Sequence, residues 1–327
     1  TELAFTEDVG ARFSACGWQV LQVADANDIE ATAQALKTFE STDDRPTLII
    51  VHSHIGYGAP HKQDSAAAHG EPLGVDEARA AKEFYGFDPD ASFAVPEGVR
   101  EHFSAHFGQR GAVAHQAWQS LFAAYREQYP DLAEQIERMQ RRELPDAWDA
   151  ELPIFPADAK GLATRDASGK VLNAIAAQMP WLLGGAADLA PSTKTTLTFD
   201  GAGAFEPASY VGRNFHFGIR EHAMCAAVSG MALSGLRPFA ASFLVFSDYA
   251  RGAIRLSAMM GLPVIYVWTH DSIAMGEDGP THQPIEQLVS LRAMPGMLTL
   301  RPADANEVTE AWRVLLPFRD WPTSLVL

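Results

Sequence analysis

Short apolar runs alternate along the chain with stretches of helical period. Residues 7–16 read as a helix. Trp18 to Val23 reads as a strand opened by Gly17. Over 27–39, Ile29, Ala33 and Leu36 recur at helical spacing, with Asn27 or Asp28 available as the cap. Thr47-Leu-Ile-Ile-Val51 is a continuous apolar run, the kind that suits a parallel sheet covered on both faces. Residues 1–55 thus read as the tail of an α/β domain. A long loop follows, with Gly56, Gly58, Pro60 and Gly70 and three histidines, His54, His61 and His69. Residues 75–150 change character. They are charged and show no strand pattern. Trp118, Leu121, Phe122 and Tyr125 share one helical face, Leu132, Ile136 and Met139 another, and Pro130 divides them.

From about residue 160 the first pattern returns. A helix carrying Val171, Leu172, Ile175 and Met179 precedes an apolar strand from Trp181 to Gly185. Further strands are predicted at 213–218, 238–242, 263–268, 297–301 and 323–327. Helices are predicted at 220–234, 245–260, 284–293 and 304–316. This alternation predicts an α/β fold with a doubly wound parallel sheet. Ligands of such sheets bind at the carboxyl ends of strands, which directs attention to the loops after 185, 218, 242 and 268.

The 327 residues fit two domains, one of them partial. Hydrophobic residues make 47% and charged residues 20%, which excludes global disorder. Lys+Arg is 25 against 41 Asp+Glu, a net charge of −16. That balance argues against nucleic acid or an anionic membrane surface as partner. Two cysteines, Cys16 and Cys225, make neither a disulfide framework nor a thiolate metal site, and fit a reducing, cytoplasmic compartment. No apolar run approaches the roughly 20 residues of a membrane span. The start lacks both Met and a signal-peptide profile, and the last residues read as a strand, so both ends are expected to lie within a longer protein.

Four loops carry candidate chemistry. In Gly184-Gly185-Ala-Ala-Asp188-Leu-Ala-Pro191-Ser192 the glycines permit close backbone approach to a ligand, and Asp188 and Ser192 offer hydrogen bonds; a turn with a helix cap is the plainer reading. In Gly218-Ile-Arg220-Glu221-His222, Glu221 sits where strand becomes helix. The helix behind it is apolar on nearly every face and is expected to be buried. A carboxyl in such a place is able to share a proton, although a first-turn Glu also suits the helix dipole. Phe243, Phe246 and Tyr249, spaced by three, form an aromatic stripe that serves either as core or as a platform for a flat heterocycle. The loop His270 to Pro284 packs two His, two Asp and one Glu. It lacks the helical spacing of zinc motifs, so no metal ligand is assigned. Glu277-Asp278-Gly279 with Asn306 imitates a diphosphate-metal motif, but Glu277 is not Gly and Asn306 opens a predicted helix, so the match is rejected.

Taken together and in this order, Arg165, Gly185-Ala-Ala-Asp188-Leu-Ala-Pro-Ser192, Gly218-Ile-Arg-Glu221, Phe243-Leu-Val-Phe246-Ser-Asp-Tyr249 and His270-Asp-Ser-Ile-Ala-Met-Gly-Glu-Asp278-Gly-Pro-Thr-His282 resemble the pyrimidine-binding domain of the transketolase family. Ile55-Gly-Tyr-Gly-Ala-Pro60 and His69-Gly-Glu-Pro-Leu-Gly74 resemble the end of its diphosphate-binding domain. The resemblance implies three parts: residues 1–74 as the C-terminal part of the diphosphate-binding α/β domain, 75–155 as a helical linker, and 156–327 as the pyrimidine-binding α/β domain. It implies thiamine diphosphate with Mg2+ or Ca2+, the metal's ligands lying outside this segment. The implied reaction is transfer of a two-carbon ketol unit between phosphosugars, in the pentose phosphate pathway or Calvin cycle. The implied assembly is a homodimer with active sites at the subunit interface.

Residue by residue, Glu221 looks like the glutamate that bonds N1′ of the aminopyrimidine and promotes the tautomer that deprotonates thiazolium C2. Phe243, Phe246 and Tyr249 resemble the pocket for that ring, and Asp188 an aspartate near the cofactor. His69 looks like a histidine near the cofactor that assists proton transfer at the donor. Arg165, Ser192 and His270 resemble the ligands of the sugar phosphate. Asp278 is similar to a residue that reads a substrate hydroxyl, and His282 to a histidine beside the reacting hydroxyls. Dihydroxyacetone synthase and deoxyxylulose-phosphate synthase share the cofactor and stand as alternatives, as does a non-catalytic α/β binding module.

Overall fold

Side-chain caps set where the first helices begin. The Asp8 carboxylate accepts from Ala11 N at 2.8 Å and opens helix α1, Val9–Ala15. Asp28 accepts from Ala31 N at 2.9 Å and opens α2, Ile29–Glu40. Between and after them run β1, Gln19–Val23, and β2, Thr47–Val51, paired in parallel. The computed structural model describes residues 3–327. They fall into two compact units, the first ending at Ala112 and the second beginning at Val113.

In the first unit α1 and α2 both pack on β1. β2 is consequently half-exposed rather than covered on both faces, and Val51 lies open. The glycine-rich loop that follows is folded around one carboxylate. Glu77, on α4 (Val75–Phe84), is buried and accepts from His61 N at 2.7 Å, His61 Nδ1 at 2.9 Å and Lys62 N at 3.1 Å. Desolvation works against its charge, but the bonds from His61 and Lys62 outweigh it and hold the carboxyl below its ordinary range. His69 lies on the single turn α3, Ala67–Gly70, and is exposed. α5, Val99–Phe103, leads through a π turn at Ser104–Gly108 into α6, Gln109–Gln128, which carries the boundary between the units.

The second unit continues along α6, where Trp118, Phe122 and Tyr125 stack on one another, and through α7, Pro130–Gln140. Its centre is a six-stranded parallel sheet in the order β4-β3-β5-β6-β8-β7. The strands are β3 Leu182–Ala186, β4 Asn214–His216, β5 Arg237–Phe243, β6 Ile265–Thr269, β7 Leu298–Leu300 and β8 Thr323–Val326. Alternate residues serve two cores. Phe239, Ala241, Ile265 and Val267 pack with α8 (Thr164–Gln178) and α13 (Ala305–Leu315). Ala240, Tyr266 and Trp268 pack with α10 (Glu221–Leu233) and α11 (Ser247–Met259), joined by Leu291 of α12 (Gln287–Arg292). The buried indoles find partners, Trp312 Nε1 donating to Ser168 Oγ and Trp268 Nε1 to Ser324 Oγ.

Two expectations need correction. Gly184 and Gly185 do permit close approach, but of neighbouring strands: a Cβ on Gly184 would collide with the Phe239 carbonyl, and one on Gly185 with the Phe215 carbonyl. α10 is buried on one face only. Met224, Cys225, Val228 and Ala232 face the core, while Ala223, Ala226, Ala227, Gly230 and Leu233 are exposed. Small apolar residues carry no polar marker, so the composition concealed the outer face.

Candidate functional site

β3 is the point where the strand order reverses, with β4 on one side and β5 on the other. Ligands of doubly wound sheets sit at such a point, beyond the carboxyl ends of the strands. The loops after β3, β4, β5 and β6 supply the side chains there.

Glu221 is the first residue of α10 and is only 7% exposed. Ser242, near the end of β5 and fully buried, donates from Oγ to Glu221 Oε1 at 3.3 Å. One turn along α10 lies Cys225, whose thiol is pushed up by burial, the Glu221 carboxylate adding to the effect. Past Ser242 the chain makes a 3₁₀ turn, Leu244–Phe246, before α11 begins at Ser247. That turn swings Phe246 and Tyr249 beside Glu221. Together with Ile219, Arg220, His222 and Ala223 they line an open cleft of about 660 Å³.

Phe243 is placed differently. It is buried, lies parallel to Phe246 with centroids 5.8 Å apart, and packs on His270 at 3.7 Å. His282 sits edge-on to Phe246 at 5.3 Å. The stripe therefore divides: Phe243 lies inward, while Phe246 and Tyr249 face the cleft.

His270 follows β6 at φ +59°, a left-handed conformation uncommon outside glycine. Arg165 Nη1 lies 2.8 Å from its Nε2, and Thr269 Oγ1 2.8 Å from its Nδ1. A guanidinium only donates, so Nε2 is the acceptor and the ring proton sits on Nδ1, donated to Thr269. Burial, and then the Arg165 charge, hold His270 below its ordinary value. The Arg165 Nε is buried without a partner among the described residues.

Asp278 is exposed on the same loop, and its charge acts on His270 in the opposite sense. Gln283 Nε2 donates to the Ile273 and Met275 carbonyls, and Arg301 pairs with Asp271 at 2.6 Å, so the loop is tied at both ends. Asp188 follows β3 at φ +61°, again left-handed and exposed, and Ser192 lies exposed on the short helix α9, Ala190–Thr193. Asn306 takes part in none of this; its amide clamps the Phe155 backbone with bonds of 2.9 and 3.0 Å. Among the described residues no cluster of three or more His, Cys, Asp or Glu is arranged to hold a metal ion, and no helix is long and apolar enough to cross a membrane.

The structure thus gathers Glu221, Phe246 and Tyr249 at one cleft, and Arg165, His270, Phe243 and His282 into one packed group joined to it through Phe246. His69 belongs to the first unit. Ser242 and Thr269 were missed as functional candidates. Their signal was present, a hydroxyl at the end of a predicted strand next to a candidate residue, but serine and threonine are too common there to stand out.

The parallel α/β fold is that of the thiamine-diphosphate-dependent transketolases. The sequence profile of the transketolase thiamine diphosphate binding domain matches residues 1–145, and that of the transketolase pyrimidine binding domain matches residues 160–327. The chain belongs to the transketolase family. It is 54% identical to the transketolase of Geobacillus stearothermophilus over 326 residues, 99% of this chain and 48% of that protein. It is 49% identical to the transketolase of Bacillus subtilis, again over 99% of this chain and 48% of the relative. The chain spans about half the length of these curated relatives. Among solved structures, transketolase from Leishmania mexicana superposes with a TM-score of 0.93 at 39% identity, covering 100% of this chain and 48% of that one. A Pichia stipitis transketolase in complex with sedoheptulose 7-phosphate gives 0.92 at 41% identity, covering 100% and 49%.

Proposed function

We propose that this chain forms part of a transketolase that reversibly moves a two-carbon ketol (glycolaldehyde) unit from a ketose phosphate to an aldose phosphate. The observation that carries this reading is the buried Glu221 carboxyl, hydrogen-bonded by Ser242 and bordering a cleft edged by Phe246 and Tyr249. A flat ring carrying a basic nitrogen fits that cleft. Thiamine diphosphate, when bound, supplies a nucleophilic ring carbon that holds the transferred unit. Glu221 holds the proton at the pyrimidine nitrogen N1′. Phe246 and Tyr249 orient the ring by stacking, with Phe243 supporting Phe246 from behind. Asp188 borders the cofactor from the β3 loop.

Arg165, Ser192 and His270 bind the substrate phosphate in this reading. The unpartnered Arg165 Nε supports it, since a buried donor without an acceptor suits an incoming anion. Asp278 and His282 engage sugar hydroxyls, and His69 assists proton transfer at the donor. The proposed parts are 1–74 for the diphosphate side, 75–155 as linker and 156–327 for the pyrimidine side. The divalent cation, Mg2+ or Ca2+, is assigned no ligand among these residues.

The reading extends to a homodimer. The exposed small residues of α10, and the stripe Tyr249, Gly252, Leu256 and Met259 along α11, form apolar surface of the kind that a second subunit covers. Place of action is the cytoplasm, within the pentose phosphate pathway or Calvin cycle. The test is ketol transfer by the holoenzyme from a ketose phosphate to an aldose phosphate, with thiamine diphosphate and magnesium supplied. Transfer that stops on cofactor removal and returns on its addition is expected. Turnover confined to a formaldehyde acceptor, or to pyruvate as donor, would overturn the assignment.

A further inference from the structure

We propose that Ser242 is a positioning residue for Glu221, its hydroxyl fixing Oε1 so that Oε2 alone is presented to the ring bound in the cleft. The inference rests on the role of Glu221 given above. Three features of the structure carry it.

The first is mutual need. Ser242 is fully buried, and its one side-chain hydrogen bond among the described residues is the 3.3 Å contact to Glu221 Oε1. A buried hydroxyl without an acceptor is costly, and so is a carboxylate oxygen turned inward without a donor. The second is placement on rigid elements. Ser242 stands in β5 in register with Trp268 of β6, on the face that carries Ala240 and packs against α10. Glu221 begins α10. The bond therefore spans sheet and helix and resists drift better than a contact between loops.

The third is that Glu221 takes no other side-chain hydrogen bond among the described residues. Cys225, one turn below, has its thiol held protonated by burial and by Glu221 itself, so it contributes no charge. A glutamate side chain has three rotatable bonds and samples several rotamers unless something pins it. Glu221 lines the cleft with Phe246 and Tyr249, so pinning Oε1 to Ser242 leaves Oε2 as the oxygen free to meet the ring. Displacement of a proton-transferring oxygen by a fraction of an ångström is enough to slow the reaction while leaving ring stacking intact.

The experiment is a double-mutant cycle in the holoenzyme with Ser242→Ala, Ser242→Thr, Glu221→Gln and Ser242→Ala/Glu221→Gln. Ser242→Ala is expected to lower kcat about tenfold. KM for both sugars and the calorimetric Kd for thiamine diphosphate should stay within about twofold, because stacking and phosphate binding are untouched. Ser242→Thr, which keeps the hydroxyl, should restore most of kcat. In the Glu221→Gln background Ser242→Ala should cost nothing further. Melting temperatures of all four proteins separate a folding defect from a positioning one. Unchanged kcat in Ser242→Ala, or an equal loss in both backgrounds, overturns the proposal and leaves the reading of Glu221 standing. Full turnover in Glu221→Gln alone overturns that reading, and this inference with it.

Discussion

Arg165 and His270 are 105 residues apart in sequence and 2.8 Å apart in space, the guanidinium Nη1 donating to the imidazole Nε2. The pair joins the first turn of α8 to the loop after β6. It survives only while His270 is neutral, since a protonated ring would turn a second donor toward Arg165.

A pH dependence follows from that contact. His270 is held below its ordinary 6.5 by burial and by Arg165. The unfolded chain therefore takes up this proton at a higher pH than the folded one. Stability from the group is fully present above about 6.5 and is lost as pH falls through the lower folded value. Thermal melts across pH 7 to 5 should show this loss, and His270→Gln should flatten the curve in that window. An unchanged slope in the variant would mean that other groups govern the acid limb.

Replacement of Glu221 by Gln keeps the volume and removes the ionisable group. In the holoenzyme kcat should fall on the order of 10²-fold or more, as when a proton-transfer group is removed. Steady-state ketol transfer at saturating thiamine diphosphate is the measurement. Near-normal turnover would place the proton transfer elsewhere.

Phe246 separates the two readings of the aromatic stripe. Phe246→Ala removes a stacking surface and leaves a cavity, so cofactor binding should weaken by roughly 1–3 kcal/mol, with some loss of stability. Calorimetry and a melting curve read the two effects independently. A stability loss with unchanged cofactor affinity would make the ring core alone.

Arg165→Ala should raise KM for phosphorylated donors far more than for hydroxypyruvate, which carries no phosphate. The reason is that the guanidinium offers the planar fork that phosphate accepts. Parallel kinetics on the two donors is the check. Equal effects would give Arg165 a purely architectural role through His270.

Much of the architecture was legible because strand and helix differ in period. Thr47–Val51, Leu182–Ala186 and Ile265–Thr269 are largely apolar runs bounded by glycine, proline or polar residues, and the helices between the strands show apolar residues three and four apart. What stayed hidden depended on distant partners. Nothing near Gly184 and Gly185 tells that neighbouring carbonyls, rather than a ligand, forbid a side chain. The half-exposure of β2 depends on which helices reach it. Glu221, Phe246 and Tyr249 were legible as a group because each lies where a strand gives way to a helix. The inward turn of Phe243 was not, because Phe243 closes β5 while Phe246 lies beyond it in a 3₁₀ turn, so a spacing of three does not place them on one helical face. The tautomer of His270 needed Arg165, whose sequence position gives no hint of contact.

The strand order has a consequence for how the second unit comes into being on the ribosome. β8, made after the other strands described, lies between β6 and β7 and is the strand to which β7 pairs. While residues 298–300 emerge, their future neighbour has not yet been translated, and the outer edge of β6 is also unpaired. The nascent sheet therefore carries an open flank until Thr323–Val326 have left the exit tunnel and slipped into the gap.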